Sequence, residues 1–501
     1  MKKIFITAIW LINSLLYLSV SNATNKTEEI DLFIKERMNQ FTEIPGLAIA
    51  IVQGDKKIFQ GTYGIANQIS KEKLTPDTSF YIASVTKSYM ALLATLLDEQ
   101  DKLSLDKNIS ELAPIKSLKN RKIFDGITVR DLITHQSGLR NAAITWRFAS
   151  GDSMTRDEMI NLLENNTSHE STTKSFRYDN LGYNILEIIL REEFKLNWKR
   201  ALEEELLDVI GLNETTGLWK KAQTMTLAAP HVAINDQRSP EISNATKTES
   251  TFHSAGGMVS SITDMADWLL LNINKGKLRG KNYFPASMFE RSHQQLAETR
   301  GNTGPFKNSG YAMGWFTGHL GEEDALYHNG GYDGFFSHVS WLPKHNLGVV
   351  ILVNESHFGD NIGLLIADYV YSTLLNEMVD ESIFENKVSD LQKKVDGIQT
   401  AFRQDRERRK SRTWKSSIPI SSWAGKFYNK QMGELEITYN TENELVAKLG
   451  ISEVVATPSS LEDALRVEFR DGNGEDVIVI HDTHQASAVV YSGKVFYRIE
   501  S

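Results

Sequence analysis

The sequence predicts an α/β domain whose sheet is assembled from both ends of a long helical region, followed by a separate small β domain, a barrel or a sandwich. Three observations point there. Strand-type runs flank the region at residues 46–64 and 337–353, helical spacing dominates from about 105 to 250, and short alternating runs fill residues 416–501. The chain of 501 residues, 41% hydrophobic and 24% charged, has ordinary globular composition and the length for more than one core.

At the N-terminus, Lys2 and Lys3 precede an apolar run from Ile4 to about Leu18, and Ser21, Asn22 and Ala23 follow. That order is the pattern of a signal peptide over residues 1–23, and the run falls short of the roughly 20 apolar residues a spanning helix needs. The expectation is an exported protein, in a bacterial periplasm or secreted, with no stable membrane span after cleavage. A formal net charge of −9 leaves no excess of Lys and Arg to neutralise a phosphate backbone, so no nucleic acid is expected as a partner. The chain has no cysteine, which excludes disulfides, thiolate metal sites and a cysteine nucleophile. Its 12 histidines are scattered and form no His-Glu-x-x-His, so neither a metal nor a cofactor is expected.

Gly46 opens the apolar run Leu47 to Val52, Gly54 and Asp55 turn it, and Lys57 to Tyr63 returns, which reads as a hairpin. From Ser84 the spacing becomes helical, with Met90, Leu93, Ala94 and Leu97 on one face. Thr128 is a cap for Val129 to Thr134, with His135 ending that helix near Gly138, and a long helical run is expected from Leu181 to Leu207. Strands return at Ser337 to Leu342 and Leu347 to Val353 around a turn with Pro343 and Asn346, closing the first domain, residues 24–378. Residues 379–415, dense in charge and ending in Arg403, Arg406, Arg408, Arg409 and Lys410, read as a solvated linker helix. Strands are then expected at Gly433 to Tyr439, Leu445 to Leu449, Ala464 to Phe469, Asp476 to Ile480 and Ala488 to Tyr491, within a β domain over residues 416–501.

The chemistry rests on Ser-x-x-Lys, a short pattern that occurs four times: Ser70 with Lys73, Ser84 with Lys87, Ser104 with Lys107, and Ser171 with Lys174. Only Ser84 heads a long apolar-faced helix, where residues three apart share a face and free backbone NH groups gather. A serine hydroxyl is a poor nucleophile, and a neighbouring amine takes its proton once burial lowers the amine pKa. By itself the pair also reads as a helix cap and a surface charge. Tyr178-Asp179-Asn180 and His328-Asn329-Gly330-Gly331 follow in order and single out Ser84. There is no Gly-x-Ser-x-Gly elbow, which argues against an α/β-hydrolase route to serine chemistry.

Around these residues the chain resembles the class C β-lactamase-like serine hydrolases, a family of esterases, D-amino-acid peptidases and DD-peptidases. The likeness is carried also by Pro45-Gly46-Leu47-Ala48-Ile49-Ala50, Ile82-Ala83-Ser84-Val85-Thr86-Lys87, Leu132-Ile133-Thr134-His135-Gln136-Ser137-Gly138-Leu139 and Ser254-Ala255-Gly256-Gly257. It implies a β-lactamase/DD-peptidase-like fold, an antiparallel sheet flanked by helices plus an all-helical subdomain at about 105–250, and a lipocalin-like C-terminal barrel. It further implies Ser84 as the acylated nucleophile, Lys87 and Tyr178 as the pair that moves its proton, and Asn180 as the group orienting Lys87 and the substrate amide. The NH groups of Gly331 and Ser84 would form an oxyanion hole, with Gly330 and Gly331 on an edge strand letting the substrate backbone lie close. His328 stands where true β-lactamases have lysine, and an imidazole is largely neutral at pH 7. This favours a small ester or peptide substrate over penicillins. A β-lactamase or cell-wall DD-peptidase, and a catalytically silent binding protein of the same fold, remain the alternatives, and oligomeric state is left open.

Overall fold

The computed structural model describes residues 25–499 apart from 171–172, 235–239, 244–246, 377–378 and 483. The expected signal peptide, residues 1–23, lies outside the described residues. Among the described residues no helix is long and apolar enough to cross a membrane.

The main sheet has nine antiparallel strands, and its order explains why strand signals sit at opposite ends of the first domain. The hairpin Gly46–Gln53 and Lys56–Gly64 joins the late meander through Gly46–Gln53 against Leu347–Val353, with Ile49 opposite Ile351. Phe335–Leu342, Glu323–Tyr332, Phe316–Leu320 and Phe306–Tyr311 follow outward. Both faces of the sheet are covered, so Gly46–Gln53 reads as a continuous apolar run while its side chains alternate between two cores. Ala48, Ala50 and Val52 pack on the face covered by the helices Thr86–Glu99 and Ile262–Ile273. Leu47, Ile49 and Ile51 pack on the other, beneath residues 25–40 and the helix Gly359–Leu375.

Two expectations need correction. The helical run from Leu181 to Leu207 is two helices, Leu181–Glu192 and a second starting at Trp198, because Asn197 accepts from the NH groups of Lys199 and Arg200 and caps a new start. The charged segment forms the helix Glu381–Lys410, but it is not solvated all round. Phe384, Val388, Leu391, Val395 and Gln399 repeat at three- and four-residue spacing and are buried, the apolar ones against the core under Gly359–Leu375.

The C-terminal strands form a second antiparallel sheet of nine, running from Ser452–Val455 through Gly425–Asn429 and Lys494–Arg498 to Thr457–Pro458. Ser452–Val455 comes round to Ala464–Arg470, so the sheet nearly closes into a barrel, filled by Trp423, Phe427, Leu435, Val467, Val489 and Phe496. The barrel docks on the first domain. Trp146 Nε1 donates to Met432 O (3.2 Å), Tyr428 donates to Glu158 (2.8 Å) and Ile451 N donates to Ser150 O (3.0 Å).

Candidate active site

Ser84 lies in a single 3-10 turn, Ala83–Val85, that feeds directly into the helix Thr86–Glu99. Ala83 is held at φ +44°, a left-handed conformation that costs an ordinary residue about 1–3 kcal/mol and presents the next side chain at a sharp strand-to-helix corner. One helical turn on, Lys87 is fully buried. Its Nζ lies 3.0 Å from Ser84 Oγ, 2.7 Å from Asn180 Oδ1 and 2.6 Å from Ala255 O. Burial lowers the Lys87 pKa from 10.5 to about 7, with the carboxylate of Asp179 partly opposing the shift.

Tyr178 and Asn180 are delivered by the start of the helix Leu181–Glu192. Asn180 is its N-cap residue, yet its side chain makes no capping bond, because Asp179 Oδ1 accepts from Leu181 N (2.8 Å) instead and frees the amide for Lys87. Tyr178 is 37% exposed, while its hydroxyl turns inward to hydrogen-bond Ser84. Desolvation pushes that hydroxyl well above the usual phenol range, so Tyr178 carries its proton at neutral pH. Its ring centre lies 4.9 Å from Lys87 Nζ.

His135 does more than end a helix. The helix Val129–Ile133 stops at Thr134, and His135 takes φ +60°, which turns its ring beneath Tyr178 at 4.4 Å. Its carbonyl accepts from Arg177 N (2.9 Å) and its Nδ1 from Asp179 N (3.2 Å), so His135 grips the segment that carries Tyr178 from both sides.

The third expected element is the end of the strand Glu323–Tyr332. Phe316–Leu320 pairs with it only as far as Tyr327, so His328 to Tyr332 keep one backbone edge free. Gly330 and Gly331 differ sharply on that edge. A Cβ on Gly330 would sit 2.1 Å from Ile82 O, two residues before the nucleophile, whereas one on Gly331 would meet nothing within 4 Å. Gly330 therefore permits close packing on the serine turn, and Gly331 faces open space.

His328 is buried. Its Nδ1 donates to Asn329 O (2.7 Å), so its Nε2 accepts from the Tyr311 hydroxyl (3.1 Å). Burial, and secondarily the charge of Lys87, depress its pKa to about 3, and the imidazole is neutral at pH 7. The structure thus gathers Ser84, Lys87, Tyr178 and Asn180 into one cluster, sets the His328 ring 6.0 Å from that of Tyr178, and lays Gly330 against the serine turn.

Residues that sequence reasoning assigned no role also reach the cluster. Ala255 supplies the second acceptor for Lys87, and the motif Ser254-Ala255-Gly256-Gly257 was the available signal, although a backbone oxygen leaves no mark of its own on a sequence. Tyr311 is set by pairing within the sheet and carries no local signal. Among the described residues no group of His, Asp and Glu has the arrangement of a metal site.

The family model for Beta-lactamase matches residues 34–368. Protein flp of Staphylococcus aureus (strain MW2) is 25% identical over 330 residues, which is 65% of this chain and 63% of that protein, so the match spans under two thirds of this relative. Among solved structures, the octameric penicillin-binding protein homologue from Pyrococcus abyssi has a TM-score of 0.58 at 20% identity, covering 94% of this chain and 100% of that one. The D-amino acid amidase from Ochrobactrum anthropi SV3 with L-phenylalanine amide has a TM-score of 0.59 at 18% identity, covering 70% and 99%. At such identities the structural likeness is one of fold. The matched region takes in the sheet, the helical subdomain and the Ser84 cluster, and the chain belongs to the Beta-lactamase family, whose members are serine hydrolases.

Proposed function

We propose that this protein hydrolyses small esters or peptide amides, D-aminoacyl compounds among them, through an acyl-enzyme on Ser84. The observation that carries this is the surroundings of Lys87 Nζ. A neutral amine has two N–H groups and one lone pair, and the two neighbours Asn180 Oδ1 and Ala255 O are pure acceptors. They take both N–H groups and leave the lone pair for the Ser84 hydroxyl.

In acylation, Ser84 Oγ bonds to the substrate carbonyl carbon while its proton passes to Lys87 Nζ, and the carbonyl oxygen takes up the electron pair between the NH groups of Ser84 and Gly331. The bond to the leaving group then breaks. Tyr178 gives its proton to the departing oxygen or nitrogen and recovers one from Lys87. A water molecule reverses the sequence, releasing the acid and restoring Ser84. In this reading Lys87 is the base and Tyr178 the relay, supported by a Tyr178 that keeps its proton beside a lysine poised near neutrality. The neutral His328 offers no fixed positive charge to a substrate carboxylate, which weighs against a site organised around penicillins. We further propose export to the bacterial envelope, on the strength of the pattern in residues 1–23.

The test is whole-protein mass spectrometry after exposure to p-nitrophenyl esters, D-aminoacyl anilides and penicillins, with Ser84→Ala as control. Adducts on the wild type from the first two classes, absent from Ser84→Ala, are expected. An adduct or undiminished turnover in Ser84→Ala removes Ser84 as nucleophile.

A further inference from the structure

The helix Leu181–Glu192 begins at Asn180, and Asn180, Tyr183 and Glu187 lie at spacings of three and four along it, which brings them onto one face. Asn180 touches Lys87 directly. The other two hold the loop that supplies the second acceptor. Ser254 Oγ donates to Tyr183 O (2.8 Å), and Ser254 N donates to Glu187 Oε2 (2.9 Å). The next residue, Ala255, turns its carbonyl onto Lys87 Nζ at 2.6 Å. The loop itself is a tight turn, for Gly256 N and Gly257 N both donate to His253 O, at 3.0 and 2.6 Å. Its orientation towards Lys87 therefore follows the helix face to which Ser254 is bonded.

We propose that Glu187 is a positioning residue for acylation: its carboxylate holds Ser254 N, and through it the Ala255 carbonyl, so that one N–H of Lys87 is occupied and its lone pair stays on Ser84. The inference rests on Lys87 being the base. Burial raises the Glu187 carboxyl pKa, while the Ser254 NH and the charge of Lys199 favour the ionised form, in which it makes a shorter, stronger bond to a backbone NH than a neutral oxygen does. Here it is spent on a residue adjacent to a contact with the reacting amine. With that anchor gone, Ala255 O drifts, Nζ is free to rotate, and the reacting pair leaves its near-attack geometry. The carbonyl also favours the ammonium form of Lys87, because an acceptor stabilises a charged donor. Its loss lowers the Lys87 pKa. The charged or titratable groups that face Lys87 are Asp179, the phenols of Tyr178 and Tyr183, which burial keeps protonated, and the buried, neutral imidazoles of His135, His253 and His328, while Lys199 faces Glu187.

The test uses the full chain with Glu187→Ala, Glu187→Gln and Ser84→Ala. Release of p-nitrophenol from p-nitrophenyl butyrate is followed between about pH 5 and about pH 10, alongside thermal melting. Glu187→Ala is expected to lose on the order of tenfold in kcat with little change in KM, and to move the rising limb of kcat/KM to lower pH. Glu187→Gln, whose amide oxygen still accepts from Ser254 N, is expected to keep the limb and most of the rate. A wild-type rate and limb in Glu187→Ala, or a Gln variant as impaired as the Ala variant, overturns the proposal. Should Glu187→Ala fail to fold, Glu187→Asp, whose shorter side chain draws the carboxylate back from Ser254 N, is expected to shift the limb in the same direction, and an unshifted limb overturns the proposal. Turnover or labelling surviving in Ser84→Ala would instead strike the hydrolase reading itself, whatever the Glu187 variants do.

Discussion

The burial of Lys87 sets a pH dependence that is open to direct measurement. A fall from 10.5 to about 7 at about 1.4 kcal/mol per unit amounts to about 5 kcal/mol, the net of the ammonium's desolvation and the opposing attraction of Asp179. At pH 7 about half of the Lys87 amine is then neutral, against roughly one part in three thousand for an exposed lysine, a gain on the order of a thousandfold in the reactive form. The perturbation is pH, and the assay is kcat/KM for p-nitrophenyl butyrate with Ser84→Ala as background. The rate is expected to rise about tenfold per unit below about pH 6 and to level above about pH 8, with its midpoint within about a unit of 7. No descending limb is expected up to about pH 10, because the Tyr178 hydroxyl holds its proton beyond the ordinary phenol range. A midpoint near 10, or a fall between about pH 8 and 9, would refute the assignment of base and relay. The same shift has a consequence for stability. Between pH 7 and 10.5 the unfolded lysine binds a proton that the folded one does not, so the contribution of Lys87 to stability rises with pH across that window.

Two glycines side by side should behave as opposites. Gly330→Ala places a Cβ 2.1 Å from Ile82 O and 2.4 Å from Ser337 Oγ, and is expected to cost about 1–3 kcal/mol or more in melting measurements and to abolish labelling of Ser84. Gly331→Ala meets no protein atom within 4 Å, so it should melt like the wild type and raise KM by intruding on substrate; equal melting temperatures for the two variants would contradict this. At the barrel contact, Gly450 has φ +59° and an added Cβ would lie 2.0 Å from Ser150 O. Gly450→Ala is expected to undock the barrel at a cost of about 1–3 kcal/mol, seen as faster proteolysis of residues 416–501 with Ser84 labelling retained, and unchanged proteolysis would count against it.

Much of the fold was legible because its signals are local and periodic. The hairpin at Gly46–Gly64, the strands around Pro343 and Asn346, and five barrel strands sit where alternation and turn residues put them. The barrel strands Ser452–Val455 and Thr457–Pro458 carry no such signal, since runs of two to four residues give alternation too little length to register. The charged helix misled for a related reason. Its buried stripe is one residue in three or four, and the charges between hide it until the partner face at Gly359–Leu375 is known. At the site, side-chain identities were readable and backbone contributions were not. Ala255 acts through its carbonyl and His135 through its φ and both hydrogen-bonding ends, features that depend on where the chain goes and not on residue type.

By itself the sequence determined the α/β class and the family, and it singled out Ser84 with Lys87 as the candidate pair among four Ser-x-x-Lys matches, because ordered motifs over some 290 residues carry information that no single pair does. The tertiary structure decided the state of the groups. A lysine is an ordinary cation until burial removes its water, and a histidine takes its charge from its surroundings. Only the packed fold seals Lys87 between Asn180 and Ala255, buries His328 against Tyr311, and so turns a pattern of residue types into an amine that loses its charge near neutral pH, facing a serine.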